Sequence, residues 1–327
     1  IEGYINTTKD LLIEFPTSGS GYDTQYRNLG KTQNTGFEVS LTYHIVNKKD
    51  WGIDFTGNIG YNKNEIKELG INDFETNSNW GSTEIGNDYR IAVGHAVGEI
   101  DGYKSAGRYE VSDFTGYDAA TKEWIRKDGV VNSSSVIGTI RPGSMKLQDI
   151  NNDGVVDAKD ITTIGNVNPD FVGGFSLNAR AYGFDLAANF NFSIGNKVYN
   201  ANKIEYTTAS YTKFSQYRNL STDMASGKRW TYVNDAGEFV TDPATLASMN
   251  ANTTMWSPYM SKFVLTDWAI ENASFLRLNT LTLGYTLPET LTRQAGINSL
   301  RFYVTAYNVF CITGYSGSDP EADCIRK

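Results

Sequence analysis

The chain has 327 residues, of which 40% are hydrophobic and 13% aromatic, and its 37 acidic and 29 basic side chains give a net charge of −8. This acidic balance, without a basic stripe, excludes a typical nucleic-acid-binding protein. Two cysteines, Cys311 and Cys324, are too few for a disulfide scaffold. The two cysteines could form one disulfide bridge or remain two unrelated thiols, and the sequence does not decide between these alternatives. No stretch approaches the ~18 apolar residues of a membrane-spanning helix, whereas the strands of a membrane barrel are apolar only at every second position.

The strongest pattern along the chain is an alternation of apolar and polar residues. In the second predicted strand Phe37, Val39 and Leu41 alternate with Glu38 and Ser40. Such strands have one apolar and one polar face. Runs of about 10 residues suit a tilted strand that crosses a bilayer, whereas strands of soluble sandwiches average ~5–6. The predicted strands are 4–13, 35–46, 51–63, 171–182, 184–194, 275–287 and 300–310.

The connections between these strands differ in length. The turns after residue 46 and at Tyr182-Gly183 are short, whereas 14–34, 64–90 and 194–270 are long and polar. If the strand direction alternates, every long segment falls at the same end, as in barrels with short periplasmic turns and long extracellular loops. Aromatic residues beside the short turns are expected to form an interfacial girdle: Trp51, Tyr182 and Phe184.

A loop with EF-hand spacing lies between the third and fourth predicted strands. Oxygen-bearing side chains occupy positions 1, 3, 5, 9 and 12 of Asp149–Asp160, and Gly154 at position 6 permits the sharp bend. Because flanking helices are not evident, the sequence predicts a structural calcium ion rather than a calcium sensor. A metal-free Asp/Asn/Gly-rich turn is the alternative. The predicted ligands are Asp149, Asn151, Asp153, the carbonyl of Val155, Asp157 and Asp160.

Other chemistry is sparse. His44 falls on the polar face of a strand, and neither it nor His95 belongs to a metal or nucleophile motif, so we expect no enzyme. Aromatic residues of the long segments are candidates for glycan stacking, loop packing or contact with a partner: Tyr206, Tyr211, Tyr217, Trp230, Tyr232 and Trp256.

Several stretches resemble the C-terminal half of SusC/RagA-type TonB-dependent transporters. The most specific is Phe275–Pro288, which reads FLRLNTLTLGYTLP, and the matches are collinear along nearly the whole chain. The others are Thr8–Leu12, Asn28–Lys31, Asn34–Glu38, Val93–His95, Asp101–Tyr103, Pro142-Gly143, Ile164–Asn166, Asn168–Phe171, Gly183–Leu186, Leu300–Val304, Asn308–Phe310 and Gly314–Glu321.

The resemblance implies an all-β fold, part of a 22-stranded transmembrane antiparallel barrel in the outer membrane, in contact with its lipid. It also implies a plug domain, a SusD-like surface lipoprotein over the mouth, and the TonB complex as energy source. The substrates would be oligosaccharides, or peptides in some branches. Residues 1–327 would form the C-terminal part of such a barrel, without the plug and the final strand.

A different class of protein also fits part of the sequence. A secreted, calcium-stabilised β-domain that binds carbohydrate or acts as an adhesin would account for the acidic loop and the aromatic residues. It would not account for long strands with a polar opposite face, nor for long segments that all fall at one end.

Overall fold

The computed structural model describes residues 1–16, 24–70, 73–76, 84–209 and 219–321. The strands of the described part are β1 (Glu2–Pro16), β2 (Thr24–Asn47), β3 (Trp51–Glu68), β4 (Phe74–Thr76), β5 (Tyr89–Ile91), β6 (Glu99–Gly102), β7 (Ser105–Arg108), β8 (Phe114–Asp118), β9 (Glu123–Arg126), β10 (Met145–Leu147), β11 (Thr162–Asn166), β12 (Phe171–Ala181), β13 (Phe184–Ile194), β14 (Lys197–Tyr199), β15 (Ile270–Asn272), β16 (Phe275–Thr286) and β17 (Arg301–Thr313).

Helices are few and short in the described part of the chain. The α-helices span Ser134–Ile137, Ala201–Glu205, Pro243–Met249 and Glu289–Thr292. Single turns of 3-10 helix span Val111–Asp113, Ala158–Asp160, Thr222–Met224, Asp267–Ala269 and Arg293–Ala295. None of these helices has the length and apolar character needed to cross a membrane.

The long strands form one antiparallel sheet of seven, in the order β1-β2-β3-β12-β13-β16-β17. The order follows the chain, so neighbouring strands in the sequence are neighbours in the sheet. All seven predicted strands are confirmed, and the sheet is open, with β1 and β17 at its edges.

The alternation in the sequence becomes two continuous faces because the register keeps like residues side by side. Tyr43 pairs with Phe55, Phe55 with Leu177, Leu177 with Ala188 and Ala188 with Leu281. The next row, on the other face, consists of Thr42, Thr56, Ser176, Asn189 and Thr280.

The prediction of a long loop at 14–34 is wrong. β1 continues to Pro16 and β2 already begins at Thr24, and the two strands stay paired as far as Pro16 and Thr24. The sequence at 28–34 is polar and therefore reads as a loop. A hairpin extending past the sheet satisfies its backbone hydrogen bonds by pairing, so it needs no apolar face.

The two longest connections leave the same end of the sheet and fold together. Residues 69–170 follow β3, residues 195–274 follow β13, and we call the two segments together the insertion body. The carbonyl of Leu265 accepts from the amide of Tyr103 at 3.0 Å, and the amide of Ser105 donates to the Asp267 side chain at 2.8 Å. Both segments contribute to one buried cluster, which includes Tyr109, Leu147, Val156, Met224 and Trp256.

The long polar segments predicted at 64–90 and 194–270 contribute to a body with its own buried core. β3 runs on to Glu68, and the segments beyond it carry short strands and helices. Their apolar residues are scattered without strand or helix periodicity, so their burial depends on contacts between distant parts of the chain. The opposite end of the sheet has only the turns 48–50 and 182–183 and the short helical link 287–300.

Candidate functional site

The polar face of the sheet carries hydrogen-bonded side chains rather than a packed core. His44 lies on this face, as predicted, and its Nδ1 is 2.5 Å from Oδ1 of Asp54 on the neighbouring strand. Further along, the Ser176 hydroxyl donates to Oδ1 of Asn189 at 2.8 Å. These groups leave a hydrophilic wall beside any solute that passes along this face.

A ladder of amide side chains crosses the same face between β1 and β3. The Tyr4 hydroxyl donates to Oδ1 of Asn62 at 3.2 Å, and Nδ2 of Asn62 donates to Oδ1 of Asn34 at 3.1 Å. Nδ2 of Asn64 donates to the same Asn34 oxygen at 3.0 Å. The ladder lines an open depression of about 520 Å³, which Glu2 and Glu38 border. Neutral donors and acceptors side by side suit the hydroxyls and amides of polar solutes.

The apolar face of the sheet is exposed across its full width. Leu41, Leu186, Leu283 and Val304 keep 56%, 41%, 53% and 75% of their surface exposed. A contiguous apolar surface of this extent is typical of a face that contacts lipid or another protein. The aromatic residues predicted beside the short turns are also exposed there, in agreement with an interfacial girdle: Trp51 at 41%, Tyr182 at 76% and Phe184 at 53%.

Three of the six aromatic residues named as candidates for glycan stacking, loop packing or partner contact lie inside the insertion body. Trp230, Tyr232 and Trp256 are at most 4% exposed, so their role is packing rather than ligand contact. Burial raises the pKa of Tyr232, whose hydroxyl donates to the carbonyl of Pro142. Tyr206 is 39% exposed. Tyr211 and Tyr217 lie outside the described residues, as does Cys324.

The segment 314–321, which follows β17, folds back onto the polar face. Nε of Arg277 donates to Oε2 of Glu321 at 2.7 Å, and Nη2 of Arg277 donates to Oδ1 of Asp319 at 2.7 Å. The Arg277 side chain is 11% exposed. This contact was not predicted from the sequence. The signal for it was the place of Arg277 among the polar positions of β16.

A second contact ties the same segment to the insertion body. The amide of Ser316 donates to Oε2 of Glu271 at 2.8 Å, and Nδ2 of Asn200 donates to Oε1 at 2.8 Å. Burial alone would raise the pKa of Glu271. The hydrogen bonds from Ser316 and Asn200 and the charge of Lys203 outweigh it and lower the pKa. Glu271 therefore stays ionised and holds three parts of the chain together.

The acidic loop Asp149–Asp160 is anchored in the insertion body by Val156, which is fully buried. Gly154 has φ +88°, the left-handed conformation that its place in the motif requires. Oδ2 of Asp149 accepts from the amide of Gly154 at 2.7 Å, and Oδ1 of Asp153 accepts from the amide of Val155 at 3.0 Å. The side chains of the motif thus shape a tight turn.

Asp160 closes the loop from within. Its carboxylate is buried and accepts backbone amides from Ile150, Asn151 and Asp157 at 2.8, 3.3 and 2.8 Å. Burial would raise the pKa of Asp160, and the three amides together outweigh it and lower the pKa. Oδ1 of Asp157 accepts from the amide of Lys159, and Oδ1 of Asn151 accepts from that of Asp153.

The calcium site stays a prediction. Within the ranges that the structure describes, no three His, Cys, Asp or Glu side chains come together in an arrangement able to hold a metal ion. The donor types fit calcium, but several of their oxygens are engaged by backbone amides. An ion would require side chains such as Asp149 and Asp153 to turn toward a common centre.

Comparison with known proteins gives consistent similarities over nearly the whole chain. No family model matches it. The chain is 30% identical to TonB-dependent receptor P39 of Formosa agariphila, covering 98% of the chain and 30% of that protein. It is 26% identical to TonB-dependent receptor P3 of the same organism, covering 98% of the chain and 28% of the relative. It is 27% identical to TonB-dependent receptor SusC of Bacteroides thetaiotaomicron, covering 98% of the chain and 27% of SusC.

Solved structures agree with these relatives. The RagAB peptide transporter superimposes with a TM-score of 0.67 at 27% identity, over 97% of this chain and 30% of that one. The RagAB peptide importer in its open-open state superimposes with a TM-score of 0.64 at 29% identity, over 98% of this chain and 30% of that one. The chain therefore spans about three tenths of the proteins it matches. Sequence and fold together match part of the β-barrel of the SusC/RagA-type TonB-dependent transporters of the outer membrane.

Proposed function

We propose that the whole protein imports oligosaccharides across the outer membrane, with peptides as the second substrate class. The observation that carries the proposal is the two-faced sheet: an exposed apolar face from Leu41 to Val304 lies back to back with a face of hydrogen-bonded polar side chains. A membrane on one side and a hydrated passage on the other explain both faces. In a secreted domain, the apolar face would lie uncovered in water.

The amide ladder favours oligosaccharides as the first substrate class. Tyr4, Asn34, Asn62 and Asn64 offer neutral donors and acceptors along the polar wall. Sugar hydroxyls pair with such groups in either direction, so the wall would let a sugar chain exchange partners as it moves. RagAB is described as a peptide transporter, so peptides are the class against which the proposal is tested.

The proposed partners would act at opposite ends of the barrel. The insertion body lies at the end of the sheet opposite the short turns, and a SusD-like lipoprotein would cover the mouth there. The TonB complex would act from the periplasmic side, through parts of the relatives that this chain does not span. The acidic loop belongs to the insertion body, and a calcium ion bound by Asp149–Asp160 would stiffen it beneath the partner.

Deletion of the full-length gene from its host tests the proposal. The expected result is a loss of growth and of labelled uptake on oligosaccharides, restored by the wild-type gene, with peptide uptake retained. The protein should fractionate with the outer membrane, shift in electrophoretic mobility on boiling and co-purify with a surface lipoprotein. Loss of peptide uptake alone would transfer the proposal to peptides. Unchanged uptake of both would contradict it.

A further inference from the structure

A cleft of about 280 Å³ opens on the surface of the insertion body. Its lining includes Tyr117 and Trp124 of the β8–β9 hairpin and Phe239 of the second segment. The size is near the lower limit of small-ligand pockets, which suits one sugar or amino-acid residue. Lys122, Glu123, Thr139 and Arg141 add polar groups along the walls and rim.

The aromatic walls are fixed in place although they face the cleft. Trp124 packs against the buried Phe114 with ring centroids 5.8 Å apart, and its other neighbour Tyr117 is at 5.6 Å. Phe239 is 56% exposed, yet it stacks on the buried ring of Tyr232 at 5.9 Å. Ordered aromatic rings lose little conformational entropy when a ligand stacks on them. The cleft is therefore preorganised for a flat apolar surface.

The cleft also holds two cations without acidic partners. The Arg141 guanidinium lies 4.2 Å from the centroid of the Tyr232 ring, and neither it nor Lys122 makes a salt bridge to any residue of the described ranges. Lys122 has φ +59°, a backbone conformation that non-glycine residues rarely adopt. Glu123 is the acidic residue that lines the cleft beside them. The balance of charge favours an anionic ligand.

We propose that this cleft binds one acidic sugar residue of a glycan, with its ring against Trp124 and Phe239 and its carboxylate or sulfate at Arg141 and Lys122. Glu123 and Thr139 would hydrogen-bond the sugar hydroxyls. The inference rests on the proposed import of oligosaccharides and narrows its substrate class. It places capture of the glycan on the insertion body, ahead of passage along the polar face.

The chemistry of the walls distinguishes an acidic sugar from an acidic peptide. A sugar ring offers C–H groups to the aromatic faces and hydroxyls to Glu123, which accepts hydrogen bonds. A peptide that ends in aspartate or glutamate would bring a carboxylate without a ring to fill the space between Trp124 and Phe239.

Calorimetry on the detergent-solubilised full-length protein tests the proposal. The probes are an oligogalacturonate, a neutral oligosaccharide of equal length and an acidic peptide of equal charge. We expect the oligogalacturonate to bind more tightly than both others, and more weakly as salt is raised. Lys122→Asn and Phe239→Ala should each lower its affinity about tenfold, since a charge-assisted hydrogen bond or a stacked ring is lost. Asn tolerates the backbone conformation at position 122.

Lys127→Gln is the matched control, because Lys127 is an exposed cation on the same segment and does not line the cleft. Its affinity should equal that of the wild type. The assignment would be overturned if the control lost as much affinity for the oligogalacturonate as the cleft variants, or if the cleft variants lost none. It would also be overturned if the peptide bound more tightly or if the oligogalacturonate did not bind. Uptake of neutral oligosaccharides separates the two proposals. If the cleft variants lose binding of the oligogalacturonate but still take up neutral oligosaccharides, the proposed import stands without the cleft. If the wild-type protein itself takes up no oligosaccharide, the proposed import is contradicted.

Discussion

Arg277 and Glu321 form an ion pair with Nε and Oε2 2.7 Å apart, although 44 residues separate them along the chain. The pair brings the segment after β17 back over the polar face, where Asp319 adds a second carboxylate. Since the guanidinium is 11% exposed, removal of its charge would leave two carboxylates without their partner. The segment 314–321 is thus held at two places, by Arg277 near its end and by the bond from Ser316 to Glu271 near its start.

Arg277→Gln should loosen this segment, most of all at its end near Glu321. Loss of a charge-assisted, partly buried pair costs about 1–3 kcal/mol, so amides within 314–321 should exchange hydrogen roughly 10-fold to 100-fold faster. Hydrogen exchange with mass spectrometry measures the rates. Arg180→Gln is the control, because Arg180 donates to Asn47 at the short-turn end and touches no part of the segment. Unchanged exchange in 314–321 would contradict the holding role of Arg277.

Asp160→Asn should destabilise the acidic loop. The buried carboxylate accepts three amides, and the neutral amide of Asn retains one acceptor, so a loss of about 1–3 kcal/mol is expected. Because the pKa of Asp160 is lowered in the folded protein, its stabilisation is present above the ordinary value of about 3.9 and is lost as pH falls through the lowered pKa. Thermal unfolding of the variant should therefore approach that of the wild type as the medium becomes strongly acidic. Asp128→Asn, at an exposed position, is the control and should change neither the thermal stability nor its dependence on pH.

Calcium should bind the same loop weakly. The carboxylates of Asp149 and Asp153 must exchange backbone amides for the ion, so affinity in the range of extracellular modules, about 0.1–1 mM, is expected. Calorimetric titration of chelator-treated full-length protein measures it. Asp153→Ala should abolish the heat of binding, whereas Asp128→Ala should leave it. Absence of heat in the wild type would support the metal-free turn.

Trp256→Ala should loosen both segments of the insertion body together. Trp256 is 4% exposed, its ring lies 4.8 Å from that of Trp268, and it belongs to a cluster with residues of both segments. A large-to-small change in such a core costs about 3–5 kcal/mol. Limited proteolysis should then cleave within 69–170 as well as 195–274. Tyr259→Ala, at a position 59% exposed, is the control. Cleavage confined to 195–274 would show that the two segments fold independently.

Leu186→Arg and Ala187→Arg should differ sharply although the residues are adjacent. Leu186 is 41% exposed on the apolar face, two residues from the interfacial Phe184. A lipid-facing arginine costs about 2–4 kcal/mol at the bilayer centre and less toward the interface, so a cost of about 1–2 kcal/mol is expected here. Ala187 faces the polar side, beside Asn178 and Thr282, where a charge remains hydrated. The temperature to which the sample must be heated before its electrophoretic mobility shifts should fall for Leu186→Arg alone. Equal effects would mean that the apolar face does not contact lipid.

The sheet could be predicted closely because each strand carries its own signal. At Phe171–Ala181 and Phe184–Ile194 the predicted bounds agree with the observed ones to within a residue. The first part of β2 could not be predicted, because residues 24–34 are mostly polar and have no period-two apolar pattern. The acidic loop was found by its spacing, yet spacing gives no positions for its side chains. The backbone amides that engage Asp160 became visible only in the structure.

The sequence by itself determined which face of each strand is apolar, because successive side chains of an extended chain point to opposite sides whatever the strand pairs with. It also determined that the long connections share one end, because strands that follow one another in antiparallel order alternate in direction. The tertiary structure alone decided that Tyr109 and Trp256 share a core, and that Arg277 meets Glu321. Such contacts join residues far apart in the chain, and their energies depend on burial and distance, which no local pattern encodes.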